Sequence, residues 1–206
     1  HLHPPFNDVR ARRALLYLVD QEAYLGVMFG DPAFYRVCRA FFVCGAPFAS
    51  EAGVEPWFGK DKAMAKQLFG AAGYQGEPIV ILHPTDIQFL SAATQYLAQD
   101  LRSIGVNVDL QTMDFATMSQ RRASRKPPAE GGWHIGLTWW NGIGSSDPVG
   151  NVPMQASCEK AWPGWPCDAA HQALIDAFSR SRSEAERKAL ADKVQESAYQ
   201  MVPYVP

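Results

Sequence analysis

The sequence predicts a mixed α/β fold without internal repeats, and three observations carry that prediction. Ile79 to Leu82 is a short, continuous apolar run, and Val106, Val108 and Leu110 alternate with Asn107, Asp109 and Gln111 as in a half-buried strand. Between them Leu90, Ala93, Leu97, Leu101 and Ile104 recur at helical spacing and stop before Gly105. A strand, helix, strand unit of this kind normally joins parallel strands by a right-handed crossover. A third strand is predicted at Trp133 to Trp139, where Trp133, Ile135, Leu137 and Trp139 point one way and Trp139 packs in the core.

The remaining elements follow in chain order. Asn7 is placed to cap a helix carrying Val9, Ala14, Leu15, Leu18 and Val19, and Asp20 restarts it through Tyr24 to Met28. Gly30, Asp31 and Pro32 break that helix. From Tyr35 to Gly59 aromatics, Pro and Gly occur without a clean period, which predicts an ordered but irregular connection. Asp61 caps a helix whose Ala65, Leu68, Phe69 and Ala72 share a face and which ends at Gly73. Asp114 caps another through about Arg125, and "KPPAEGG" is the turn-rich link to the third strand. Two helices close the chain, one from Asp168 with Leu174, Ile175 and Phe178, the other opened by the capping box Ser183-x-x-Glu186.

Composition narrows the function. The chain has 206 residues, 47% hydrophobic and 19% charged, with a formal net charge of -2. That is enough for one sizeable core, and it leaves no basic footprint for nucleic acid. The longest apolar runs, such as "LLYLV", fall far short of the roughly 20 residues of a membrane-spanning helix. "HLHPPFNDVR" lacks the apolar segment of a signal peptide.

Four cysteines stand at 38, 44, 158 and 167. Neither pair has the tight knuckle of a zinc module or a histidine placed to complete a tetrahedron, and no redox C-x-x-C is present. Two locally closed pairs, Cys38 with Cys44 and Cys158 with Cys167, suit disulfides in an oxidising compartment, with buried free thiols as the alternative.

The common local signatures of hydrolases, metalloproteases and nucleotide enzymes are missing. His1, His3, His83, His134 and His171 fall in different predicted elements, so no metal or cofactor site is expected. His83 alone has a suggestive place, just beyond a strand end in "ILHPTD", where α/β sheets present binding loops. The strongest binding candidate is "TWWNGIGSSDPVGN", in which Trp140 and Asn141 open a Gly- and Ser-rich loop that includes Ser145 and Asp147. Asp147 before Pro148 also suits a turn cap, and Arg121 and Arg122 are explained by the dipole at their helix end. A rival from another class is a small secreted hydrolase using His83 or His134 with Asp147.

Five ordered blocks carry a more specific signal: "PPFNDVRARRALLYLVDQEAY", "AKQLFGAAGYQGEPIVIL", "DLRSIGVNVDLQTMDFATM", "GGWHIGLTWWNGIGSSDP" and "RKALADKVQESAYQMVPYVP". In this order they resemble the C-terminal lobe of the extracellular solute-binding proteins of family 5, the peptide, nickel and oligosaccharide receptors of ABC importers. The resemblance implies a periplasmic binding protein-like class II fold, with residues 1–206 as a single C-terminal ligand-binding lobe of a longer two-lobed receptor. It implies a binding protein rather than an enzyme, periplasmic or lipid-anchored, monomeric, that closes over a peptide or other small solute and docks on a membrane permease. In relatives that bind dipeptides, an Arg just after the first strand grips the carboxylate and an Asp after the Trp strand pairs with the amine. The matching positions look like His83 and Asn141 to Ser146. Both charges are absent here, which favours a longer peptide or a neutral, aromatic or sugar-like molecule stacked on Trp140. The resemblance also suggests a disulfide holding the loop "CEKAWPGWPC", where Trp162 and Trp165 line the cleft rim or pack on their own lobe.

Overall fold

The computed structural model describes all of residues 1–206. It divides into a sheet unit, Leu2–Val37 with Phe58–Trp139, and a disulfide unit, Cys38–Trp57 with Trp140–Pro206 and His1.

The sheet unit is built on three parallel strands, β1 (Ile79–Pro84), β2 (Val108–Met113) and β3 (Ile135–Gly136), in the order β2-β1-β3. The central strand β1 is buried along its whole length, which is why its sequence is a continuous apolar run rather than an alternation. Helix α4 (Gln88–Ser103) crosses from β1 to β2, and Gly105 turns the chain at a φ of 89° that disfavours any residue with a Cβ. β2 starts two residues later than the Val106 alternation predicts and runs to Met113, with Ile79 opposite Val108 and His83 opposite Thr112.

β3 is far shorter than the predicted Trp133 to Trp139, because only Ile135 and Gly136 pair with Ile81 and Leu82. On its amino-terminal side a side chain takes over the pairing. His134 N–H donates to the Val80 carbonyl at 3.0 Å, and its ring Nδ1 accepts the Val80 N–H at 2.9 Å. The imidazole thus takes the place of a strand carbonyl, and its Nε2 meets the Pro4 carbonyl at 3.0 Å.

Around the sheet stand α1 (Val9–Leu18), α2 (Gln21–Phe29), α3 (Lys62–Ala71) and α5 (Phe115–Arg122). Asp8, not Asn7, caps α1, accepting the Arg10 N–H at 2.8 Å. Asp20 precedes α2 without capping it, and its carboxylate is held 2.6 Å from Lys60. Asp61 and Asp114 cap α3 and α5 as their positions predict. α5 ends at Arg122, short of Arg125, and Arg121 donates to the Gly131 and Gly132 carbonyls. α1 packs on α3 and α2 on α4.

In the disulfide unit, residues 38–57 have no regular structure, as expected. Helices α6 (Ala169–Arg180) and α7 (Glu184–Met201) pack on each other. Asp168 caps α6. Ser183 caps α7, while Glu186 accepts from Ser181 Oγ at 2.6 Å instead of closing the reciprocal half of the box. The irregular segment is held from α7: buried Gln195 donates to the carbonyls of Ser50 and Ala52, Lys188 to Ala49 and Tyr199 to Arg39. Gly53, at φ 74°, lies so close to α7 that a Cβ there would sit 2.8 Å from Glu196 Cα. All four cysteines are in disulfides, Cys38 with Cys44 and Cys158 with Cys167, so the free-thiol alternative falls. No helix is long and apolar enough to cross a membrane.

Candidate functional site

The loop after β3 is organised by its own polar side chains. Asn141 Oδ1 accepts the Gly144 N–H at 2.7 Å, and Ser145 Oγ donates back to the Asn141 carbonyl at 2.8 Å. Asp147 Oδ1 accepts two amides, Val149 N–H at 2.8 Å and Gly150 N–H at 2.9 Å, the turn-capping role that its place before Pro148 suggests. The Ser145 carbonyl takes the Val43 N–H at 3.0 Å, tying the loop to the segment closed by Cys38–Cys44.

This scaffold presents Trp140, which is 39% exposed. Its ring meets Trp162 edge-on, with centroids 5.9 Å apart at 84°. Gly144 makes room for it, since a Cβ there would lie 2.5 Å from the Trp140 indole nitrogen. Trp162 is set by the turn Trp162-Pro163-Gly164-Trp165, in which Trp165 N–H donates to the Trp162 carbonyl at 2.8 Å and Gly164 takes a φ of 114°. Cys158–Cys167 closes that loop, and Trp165 is buried while Trp162 is half-buried. Trp140, Asn141, Ser145, Asp147 and Trp162 therefore all lie in the disulfide unit.

His83 lies in the sheet unit. It sits within β1, not beyond it, because the strand continues to Pro84. Only 5% of it is exposed; its Nε2 is 2.8 Å from Ser91 Oγ on α4, and burial lowers its pKa. His134 is likewise lowered by burial, and both of its ring nitrogens are occupied by backbone groups. A general base needs a free nitrogen within reach of the proton it removes. His134 has no ring nitrogen left for that role, whereas the buried Nδ1 of His83 has no partner, and no three His, Cys, Asp or Glu side chains converge as a metal site would need.

Trp139 departs from its expected place in the core. It is 48% exposed, because the ladder stops at Gly136 and the alternation no longer sets its side. Its ring touches Phe89 (5.6 Å between centroids) and Phe115 (4.9 Å), and Phe89 stacks on Phe29 at 6.1 Å. Sequence reasoning passed over these three phenylalanines. The signal was their position rather than their periodicity: Phe89 and Phe115 each open a helix just after a strand.

A parallel β-α-β sheet unit, joined to a stapled aromatic loop and two closing helices, defines a class II periplasmic binding protein fold. The substrate-binding protein CtaP of Listeria monocytogenes superposes with a TM-score of 0.82, covering 96% of this chain and 39% of that one at 19% identity. A dipeptide-binding protein of Pseudoalteromonas sp. SM9913, solved with Met-Leu, superposes with a TM-score of 0.75, covering 99% of this chain and 40% of that one at 23% identity. The chain belongs to the bacterial extracellular solute-binding proteins, family 5, whose middle-region model matches residues 1–162. Over its full length it is 39% identical to the "Probable peptide ABC transporter periplasmic-binding protein y4tO" of Sinorhizobium fredii. It spans 39% of that relative's length.

Proposed function

We propose that the protein containing this chain is the substrate-binding component of an ABC importer. It captures a peptide or another small solute in a cleft between two lobes, delivers it to a membrane permease, and acts outside the inner membrane, periplasmic or lipid-anchored, as a monomer. Residues 1–206 form one ligand-binding lobe of it. The observation that carries this reading is 39% identity across the entire chain to a periplasmic-binding protein described for peptides. The chemistry required is capture, not bond making: ligand shifts the lobes toward closure by its greater affinity for the closed state.

Trp140, with Trp162 against its edge, is the ligand-facing group in the disulfide unit, because it is an exposed aromatic fixed by a stapled loop. Asn141, Ser145 and Asp147 shape the loop that presents it. For His83, the buried bond to Ser91 supports a part in seating α4 on β1.

The test is thermal-shift screening of the intact protein against peptides of two to six residues, oligosaccharides and nickel complexes. A ligand at 100 times its Kd stabilises the native state by about 2.7 kcal/mol. A peptide is expected to raise the melting temperature, and Trp140→Ala to weaken that rise. No shift from any of these ligands, together with turnover of a chromogenic ester, would replace this reading with the hydrolase.

A further inference from the structure

Phe29, Phe89, Trp139 and Phe115 form a continuous row of rings within the sheet unit. They come from four separate elements, and three of them lie on the segments that leave the carboxyl ends of β1, β2 and β3. In open parallel sheets that end is where ligands bind. The row is not a core: Trp139 is 48% and Phe29 44% exposed, and the other two rings are half-buried. Rings held in mutual contact yet open to water form a preformed apolar platform, with no side-chain ordering left to complete on binding.

Two carboxylates stand beside it. Asp86 Oδ1 accepts the Phe115 N–H at 2.8 Å, and Asp114, the cap of α5, precedes Phe115; both residues are exposed. Asp114 is kept ionised by its bonds to Thr117, which lower its pKa. Aromatic faces and carboxylates both attract a cation and repel an anion.

We propose that this row is the subsite for an aromatic side chain at the amino end of a peptide ligand, whose ammonium group sits at Asp86 and Asp114. This rests on the peptide-capture reading and names the residue that the protein selects. The acidic partners for the amine then come from the segments after β1 and β2, not from the loop after β3.

The test is calorimetric titration of the intact protein with alanine peptides of three to six residues, with and without Phe at the first position, each also N-acetylated. Phe-first peptides are expected to bind roughly 10-fold tighter than all-alanine ones, from burial of one aromatic side chain. Trp139→Ala should cut that preference to about 3-fold or less, and Trp139→Phe should restore part of it. Acetylation should weaken binding to the wild type more than to Asp86→Asn, which keeps the acceptor for Phe115 N–H and leaves the Asp114 charge in place. Peptide binding with no preference for Phe, or a preference that survives Trp139→Ala, overturns this inference and leaves peptide capture standing. Failure of every peptide to bind overturns both.

Discussion

Replacing His134 by alanine tests the claim that an imidazole completes the sheet. The ring supplies two hydrogen bonds, from Val80 N–H at 2.9 Å and to the Pro4 carbonyl at 3.0 Å. Each is worth about 0.5–1.5 kcal/mol, and leaving a buried N–H unsatisfied costs about 1–3 kcal/mol more. Val80 is 4% exposed, so water has little access to its orphaned amide. His134→Ala should therefore destabilise the intact protein by roughly 3 kcal/mol in urea unfolding, and exchange at the Val80 amide should accelerate. His134→Asn places an oxygen near the Nδ1 position and should recover the Val80 bond but not the one to Pro4. His134→Gln, with the longer reach, should do the reverse. A loss below about 0.5 kcal/mol with Val80 still protected would refute the reasoning, because only a dispensable bond costs so little.

Three further outcomes follow from the same reading. His83, His134 and His171 all have pKa values lowered by burial, so the unfolded chain binds more protons below pH about 6.5, and stability should fall on acidification from there. Denaturation at a series of pH values checks this, and a flat profile between pH 7 and 5 contradicts it. Gly53→Ala must hold φ 74° with a Cβ 2.8 Å from the α7 backbone, and should cost roughly 2–4 kcal/mol in urea unfolding, whereas an exposed glycine such as Gly70, with nothing within 4 Å, tolerates alanine. Replacing Cys158 and Cys167 together by serine opens a ring whose ends are nine residues apart, and should lower stability by about 2.7 kcal/mol on the loop-entropy estimate.

Several helices were legible because they carry their own start or stop signals. Asp61, Asp114 and Asp168 cap where their spacing to the apolar stripe says they should, and Gly105 stops α4. Both disulfides were legible because each pair closes locally. β3 was not, since alternation from Trp133 to Trp139 reports an extended chain but not which residues find a partner. There a side chain, rather than the backbone, satisfies Val80. The Trp140–Trp162 contact and the four-ring row were invisible for another reason: they join residues far apart in sequence, and no local period encodes such a meeting.

The stretch from Cys38 to Trp57 has no ladder or helix of its own, and the side chains that fix its carbonyls, from Asn151 and α7 among others, come about 110 to 160 residues later. Emerging at about 5–20 residues per second, such a stretch waits on the order of ten seconds before its partners leave the ribosome. During that interval not even the short Cys38–Cys44 loop is closed, since its disulfide forms only in an oxidising compartment. Whatever guards the nascent chain must shelter Phe41, Phe42 and Trp57, which the finished protein hides, until the last helix is made.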